Sequence, residues 1–141
     1  MVTRRTARSL YVSLGATLCM WCGAAMAETI VVTDSQHPVI NSGNARIIEL
    51  DRPAQLSYAL SQGLPADPQR AASAAKERLS SEEGRRLTAE LRRAYQDVAD
   101  AKGLKVQKVP AVIVDRTYVV YGLADVAEAT GLIDAYLQGE H

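Results

Sequence analysis

Val109-Pro110-Ala111-Val112-Ile113-Val114-Asp115-Arg116-Thr117-Tyr118-Val119-Val120-Tyr121-Gly122 is the most regular stretch of the chain. Two runs rich in β-branched residues flank Asp115-Arg116, which predicts an antiparallel hairpin around a two-residue turn. The turn lacks the Asn-Gly signature, so its type stays open. Gly122 breaks the second run. Asp125 to Gln138 then reads as a helix, with Val126, Ala129, Ile133 and Leu137 on one side and Gly131 as a mild internal weakness. Proline is disfavoured within a sheet, so Pro110 at the first position of a strand calls for a reason. A cis X-Pro bond costs only about 0.5–1 kcal/mol and is tolerable where a fold fixes it.

Working back toward the N-terminus, Thr29-Ile30-Val31-Val32-Thr33 is a β-branched run suited to a buried strand. It stops at the polar turn Asp34-Ser35-Gln36-His37-Pro38, in which Asp34 reads as a turn former. Asn41-Ser42-Gly43-Asn44 is a second turn cluster, and Val39-Ile40 between them is too short for a helix. Arg46-Ile47-Ile48-Glu49-Leu50 is a second strand candidate. Asp51 is placed to cap a short helix that Gly63 closes. Asp67-Pro68 starts another, because Asp67 accepts from first-turn amides and Pro68 lacks only an unused N–H. Ser80 and Glu83 have capping-box spacing. Leu87, Leu91, Ala94, Tyr95 and Val98 then form an apolar stripe on a charged helix, ended by Lys102-Gly103. The stripe is expected to cover one face of a sheet, a docking surface for a partner being the alternative.

The order is strand, strand, helices, strand, strand, helix, with a proline directly before the hairpin. This resembles the thioredoxin fold, and the expected class is α/β: a four-stranded mixed sheet with helices. The resemblance implies that Val109-Pro110 is cis and faces the loop after the first strand. In thioredoxin-like enzymes that loop holds Cys-x-x-Cys. Here it holds no thiol, and disulfide exchange requires a thiolate. The helix that follows that loop in the enzymes is also missing.

The only two cysteines stand elsewhere, in Cys19-Met20-Trp21-Cys22. Arg4, Arg5 and Arg8, an uncharged run from Leu10 to Cys22, and Ala25-Met26-Ala27 are the parts of a secretory signal peptide cut after Ala27. The apolar run is short for a membrane span, which needs roughly 20 residues. Lipidation at a cysteine and an uncleaved anchor are the alternatives. Cleavage leaves one domain, residues 28–141, with no cysteine. The 16 basic residues less the three arginines of the leader, against 16 acidic ones, give a balance of about −3. No basic patch dominates, which argues against a nucleic-acid partner. The expected location is the periplasm, with no stable membrane insertion after cleavage.

Thr33-Asp34-Ser35-Gln36-His37-Pro38, Leu64-Pro65-Ala66-Asp67-Pro68, the hairpin from Pro110 to Gly122 and Asp125-Val126 together resemble the small exported thioredoxin-like proteins of integrating conjugative elements. These are encoded among type IV secretion genes and are similar in architecture to the TrbC-type pilus-assembly proteins of conjugative plasmids. The resemblance implies a non-catalytic role in the mating-pair apparatus, through contact with other periplasmic or outer-membrane components. It implies no catalytic residue, cofactor or metal. The expected partner-binding residues are His37, Pro38, Val109 and Pro110, where an extended peptide would add as a strand. The competing reading is an enzyme or metal protein using His37. One His beside an Asp falls short of the three protein ligands typical of catalytic zinc and comes with no evident nucleophile.

Overall fold

A computed structural model describes residues 27–139. The expected leader up to residue 26, including Cys19 and Cys22, lies outside the described residues. The elements run β1 (Thr29–Thr33), β2 (Arg46–Glu49), α1 (Arg52–Ser61), α2 (Pro68–Ser80), α3 (Glu82–Gly103), β3 (Ala111–Val114), β4 (Tyr118–Tyr121) and α4 (Val126–Gln138). The four strands form one sheet in the order β2-β1-β3-β4. β1 runs parallel to β2 and antiparallel to β3, and β3 runs antiparallel to β4. This is the thioredoxin-like mixed sheet.

Strand alternation divides the core into two. Ile30, Val32, Ile48, Ala111 and Ile113 face one side, where Ala101 of α3 joins them. Val31 and Val112 face the other, against Val126 and Ala129 of α4. The central strands β1 and β3 are covered on both faces, which explains their unbroken apolar sequences. Burying each Ile or Val side chain contributes about 1.5–3 kcal/mol. α1 and α2 both pack on α3. α2 has no buried residue and is tied in by Arg78, whose Nη1 donates to the carbonyls of Leu60 and Gln62 at 2.9 and 2.6 Å at the C-terminal end of α1.

β1 and β2 are parallel, yet residues 34–45 join them without a helix. An extended segment stands in its place. Ile40 N–H donates to Ala124 O at 2.9 Å, and Val126 N–H donates to Ile40 O at 3.0 Å. Asn41 Nδ2 donates to the N-cap carboxylate Asp125 at 2.8 Å. Val39 and Ala45 pack onto the α4-side core, so two short side chains fill part of the space a helix would occupy.

Several local readings shift. The β3–β4 loop spans three residues, because Val114 pairs with Tyr118. Asp115 and Arg116 both have positive φ, the sign pattern of a type I′ turn. The cap of α3 is Ser81, not Ser80: Ser81 Oγ accepts from Gly84 N–H at 3.0 Å. Gly103 stays helical, and Lys105 takes the positive φ at that end. Tyr95 and Leu137, expected on core-facing stripes, are exposed, because the neighbouring elements do not extend over them.

Candidate functional site

The loop after β1 is built from its own backbone and a neighbouring helix. His37 N–H donates to Asp34 O at 3.1 Å and closes the turn. Gln36 N–H donates to Asp34 Oδ1 at 3.0 Å, so Asp34 is the turn former expected of it. Thr33 Oγ1 donates to His37 O, and its residue is almost wholly buried. Ser35 N–H donates to Asp51 at 3.2 Å. Asp51 stands at the start of α1, but its side chain makes no cap bond there. Its carboxylate holds the loop instead, and also accepts from Gln55 Nε2 at 3.0 Å.

His37 Nδ1 lies 2.6 Å from Asp34 Oδ1, with the imidazole about half exposed. The hydrogen bond with His37 is the main reason the Asp34 carboxyl sits below the usual carboxylate range; the Gln36 amide acts in the same direction and burial acts against them. Asp51 is likewise held low, first by its bond with Ser35 and then by Gln55.

The Val109-Pro110 peptide bond is cis, as the resemblance to the thioredoxin fold implies. The antiparallel ladder pairs Val32 with Ala111, so its next step sets Thr33 beside Pro110. Pro110 is buried and its carbonyl accepts from Gly122 N–H at 2.9 Å. Val109 is half-buried against the α3-side core. No turn, loop or cap hydrogen bond among the described residues uses its backbone. The root of the Asp34–Pro38 loop is therefore what the fold brings to Val109-Pro110. No hydrogen bond among the described residues joins His37 or Pro38 to either.

Val109-Pro110 and the root of the Asp34–Pro38 loop thus lie at one end of the β1–β3 pair, while Thr33 and Asp51, which fix the loop, were expected only as a strand end and a helix cap. Thr33 could have been found from its place as the last buried strand position. The Asp51–Ser35 bond spans sixteen residues, and no local pattern announces it. Among the described residues, no group of three or more His, Cys, Asp and Glu side chains is arranged to hold a metal ion, and no helix is long and apolar enough to cross a membrane.

A β2-β1-β3-β4 sheet with a cis proline leading β3 defines a thioredoxin-like domain, here without cysteine among its described residues. Over residues 26–139 the chain matches the family described as "Protein of unknown function (DUF1525)", and it belongs to that family. No curated protein and no solved structure matches it.

Proposed function

We propose that this chain is a non-catalytic periplasmic component of the conjugative type IV secretion apparatus of an integrating conjugative element, acting by protein–protein contact. The sequence resemblance supplies the pathway. The structural support is the Val109 backbone, which stands beside cis-Pro110 without a turn, loop or cap partner. An extended segment of a partner adds there by main-chain hydrogen bonds, a mode that needs no thiol. The loop held by Thr33, Asp34 and Asp51 begins one ladder step from Pro110 and carries His37 and Pro38 exposed. Export by the N-terminal segment, with cleavage after Ala27, delivers the domain to the periplasm. DNA transfer from donor cells lacking the gene tests this: it drops, and the cysteine-free domain behind an unrelated secretion signal restores it. Unchanged transfer in the deletion strain rules the role out.

A second reading takes the 2.6 Å Asp34–His37 pair as an oriented general base, or as part of a metal site. His37→Ala separates the two. Lost transfer with partner binding intact favours chemistry at His37. Unchanged transfer and binding removes His37 from both readings and leaves Val109-Pro110 as the contact.

A further inference from the structure

An open apolar groove of about 400 Å³ adjoins Val109 and is lined by Val32, Leu50, Val98, Ala101, Val106 and Val109, with Lys102, Gln107 and Lys108 also on its lining. Three lysines, Lys102, Lys105 and Lys108, fall within seven residues, and residues 101–114 contain no acidic residue. Among the described residues none of the three takes part in an ion pair. The nearest acid along the chain, Asp100, is already engaged by Arg46 at 2.6 Å and Arg116 at 2.7 Å. Lys102 complements the C-terminal end of α3, but Lys105 and Lys108 lie beyond that helix and have no such role. An uncompensated cationic cluster on a domain of net negative charge is a local feature that calls for an anionic counterpart.

Resting on the strand-addition reading above, we infer that the partner segment is an acidic extended peptide. One apolar side chain enters the groove beside Val109, and flanking Asp or Glu residues meet Lys102 and Lys108. The apolar walls reward burial of a Leu- or Val-sized side chain. The exposed lysines add selectivity more than affinity, since solvent-exposed ion pairs are individually weak. A strand fits better than a helix, because Val109 lines the groove and a helix has free main-chain groups only at its two ends.

Three fluorescent heptapeptides alternating leucine with glutamate, serine or lysine, titrated by anisotropy against the full chain, provide the test. The glutamate peptide is expected to bind tightest and the lysine peptide about tenfold or more weaker, with the gap closing in high salt. Lys102→Gln with Lys108→Gln is expected to remove the preference and leave the serine peptide unchanged; both positions are exposed, so the fold tolerates the change. Equal binding of all three peptides, or a glutamate preference that survives in the double variant, overturns the acidic-partner inference while strand addition stands. Failure of all three to bind overturns both. Vesicles containing phosphatidylglycerol that recruit the protein and displace the glutamate peptide would assign the lysines to a lipid surface, and the inference falls.

Discussion

Asp51 reaches back sixteen residues to hold the amide of Ser35, its two carboxylate oxygens at 3.2 and 3.3 Å. A residue placed to cap a helix thus fastens the loop that precedes its neighbouring strand. The first turn of α1 and the loop after β1 are one mechanical unit, although a strand and two turns separate them in sequence.

Asp51→Ala is therefore expected to speed hydrogen exchange at Ser35 and Gln36 while leaving exchange in β1 and β3 unchanged. Asp51→Asn keeps one acceptor oxygen and falls between. Wild-type exchange at Ser35 in the alanine variant would mean that Asp34 and Thr33 hold the loop without help.

Gly84 and Gly131 predict opposite outcomes for the same substitution. A Cβ at Gly84 would stand 1.8 Å from Arg78 O and 2.7 Å from its carbonyl carbon, because the start of α3 packs directly on the end of α2. Gly84→Ala must push that corner open and is expected to destabilise by about 1–3 kcal/mol or more. A Cβ at Gly131 meets nothing within 4 Å, and Gly131→Ala in α4 is expected to stabilise by about 0.5–1 kcal/mol. Denaturant titration of both variants reads the two signs directly.

Acid is expected to weaken the fold in a defined direction. Asp34, Asp51, Asp100, Asp125 and Glu83 are all held below their ordinary values, by His37, Ser35, Arg116, Asn41 and Arg86 respectively as the leading partners. A carboxyl whose folded pKa is depressed stabilises the fold above its unfolded pKa, which is about 4, and loses that contribution as pH falls through the folded pKa. The melting temperature should hold from neutral pH to about pH 5 and fall below it. Asp100 bridges Arg46 and Arg116, so Asp100→Asn should lower the neutral-pH value and flatten the acid decline. Glu83 is exposed and the four aspartates are only partly buried, so salt should shrink the effect.

The expected leader makes a prediction about mass. Protein recovered from periplasmic extract should begin at Glu28 and contain no cysteine, so an alkylating reagent should leave its mass unchanged. Retention of Cys19 and Cys22 would return the Cys-Met-Trp-Cys stretch to consideration as a redox or anchoring element.

The hairpin, the proline ahead of it and the amphipathic α3 were legible because each is a run of one residue chemistry with a plain terminator. The misplaced details are those that depend on a choice between adjacent equals. Ser80 and Ser81 both have capping hydroxyls, but Ser80 Oγ donates back to Glu77 O while Ser81 Oγ accepts from Gly84 N–H. Tyr95 and Leu137 keep helical spacing with the core, but spacing does not say how far the opposing element extends, and both emerge into solvent. At the candidate site, Val109-Pro110 could be read from the order of elements. The Asp51 tie could not, because it joins two turns of unrelated local pattern. Of the lysine cluster only Lys102 was read, as the cation that ends α3, and its place beside an apolar groove is known only from packing.

The central claim is that the face around Val109-Pro110 and the Asp34–Pro38 loop is where a partner docks. A photoreactive amino acid placed in turn at Gln36, Lys108 and the α3 surface position Arg92 in mating donor cells tests it most directly. Cross-links from Gln36 and Lys108 to one component of the secretion apparatus, with none from Arg92, are the predicted result. A partner captured from Arg92 but from neither of the other two, or no apparatus component captured from any position, would contradict it.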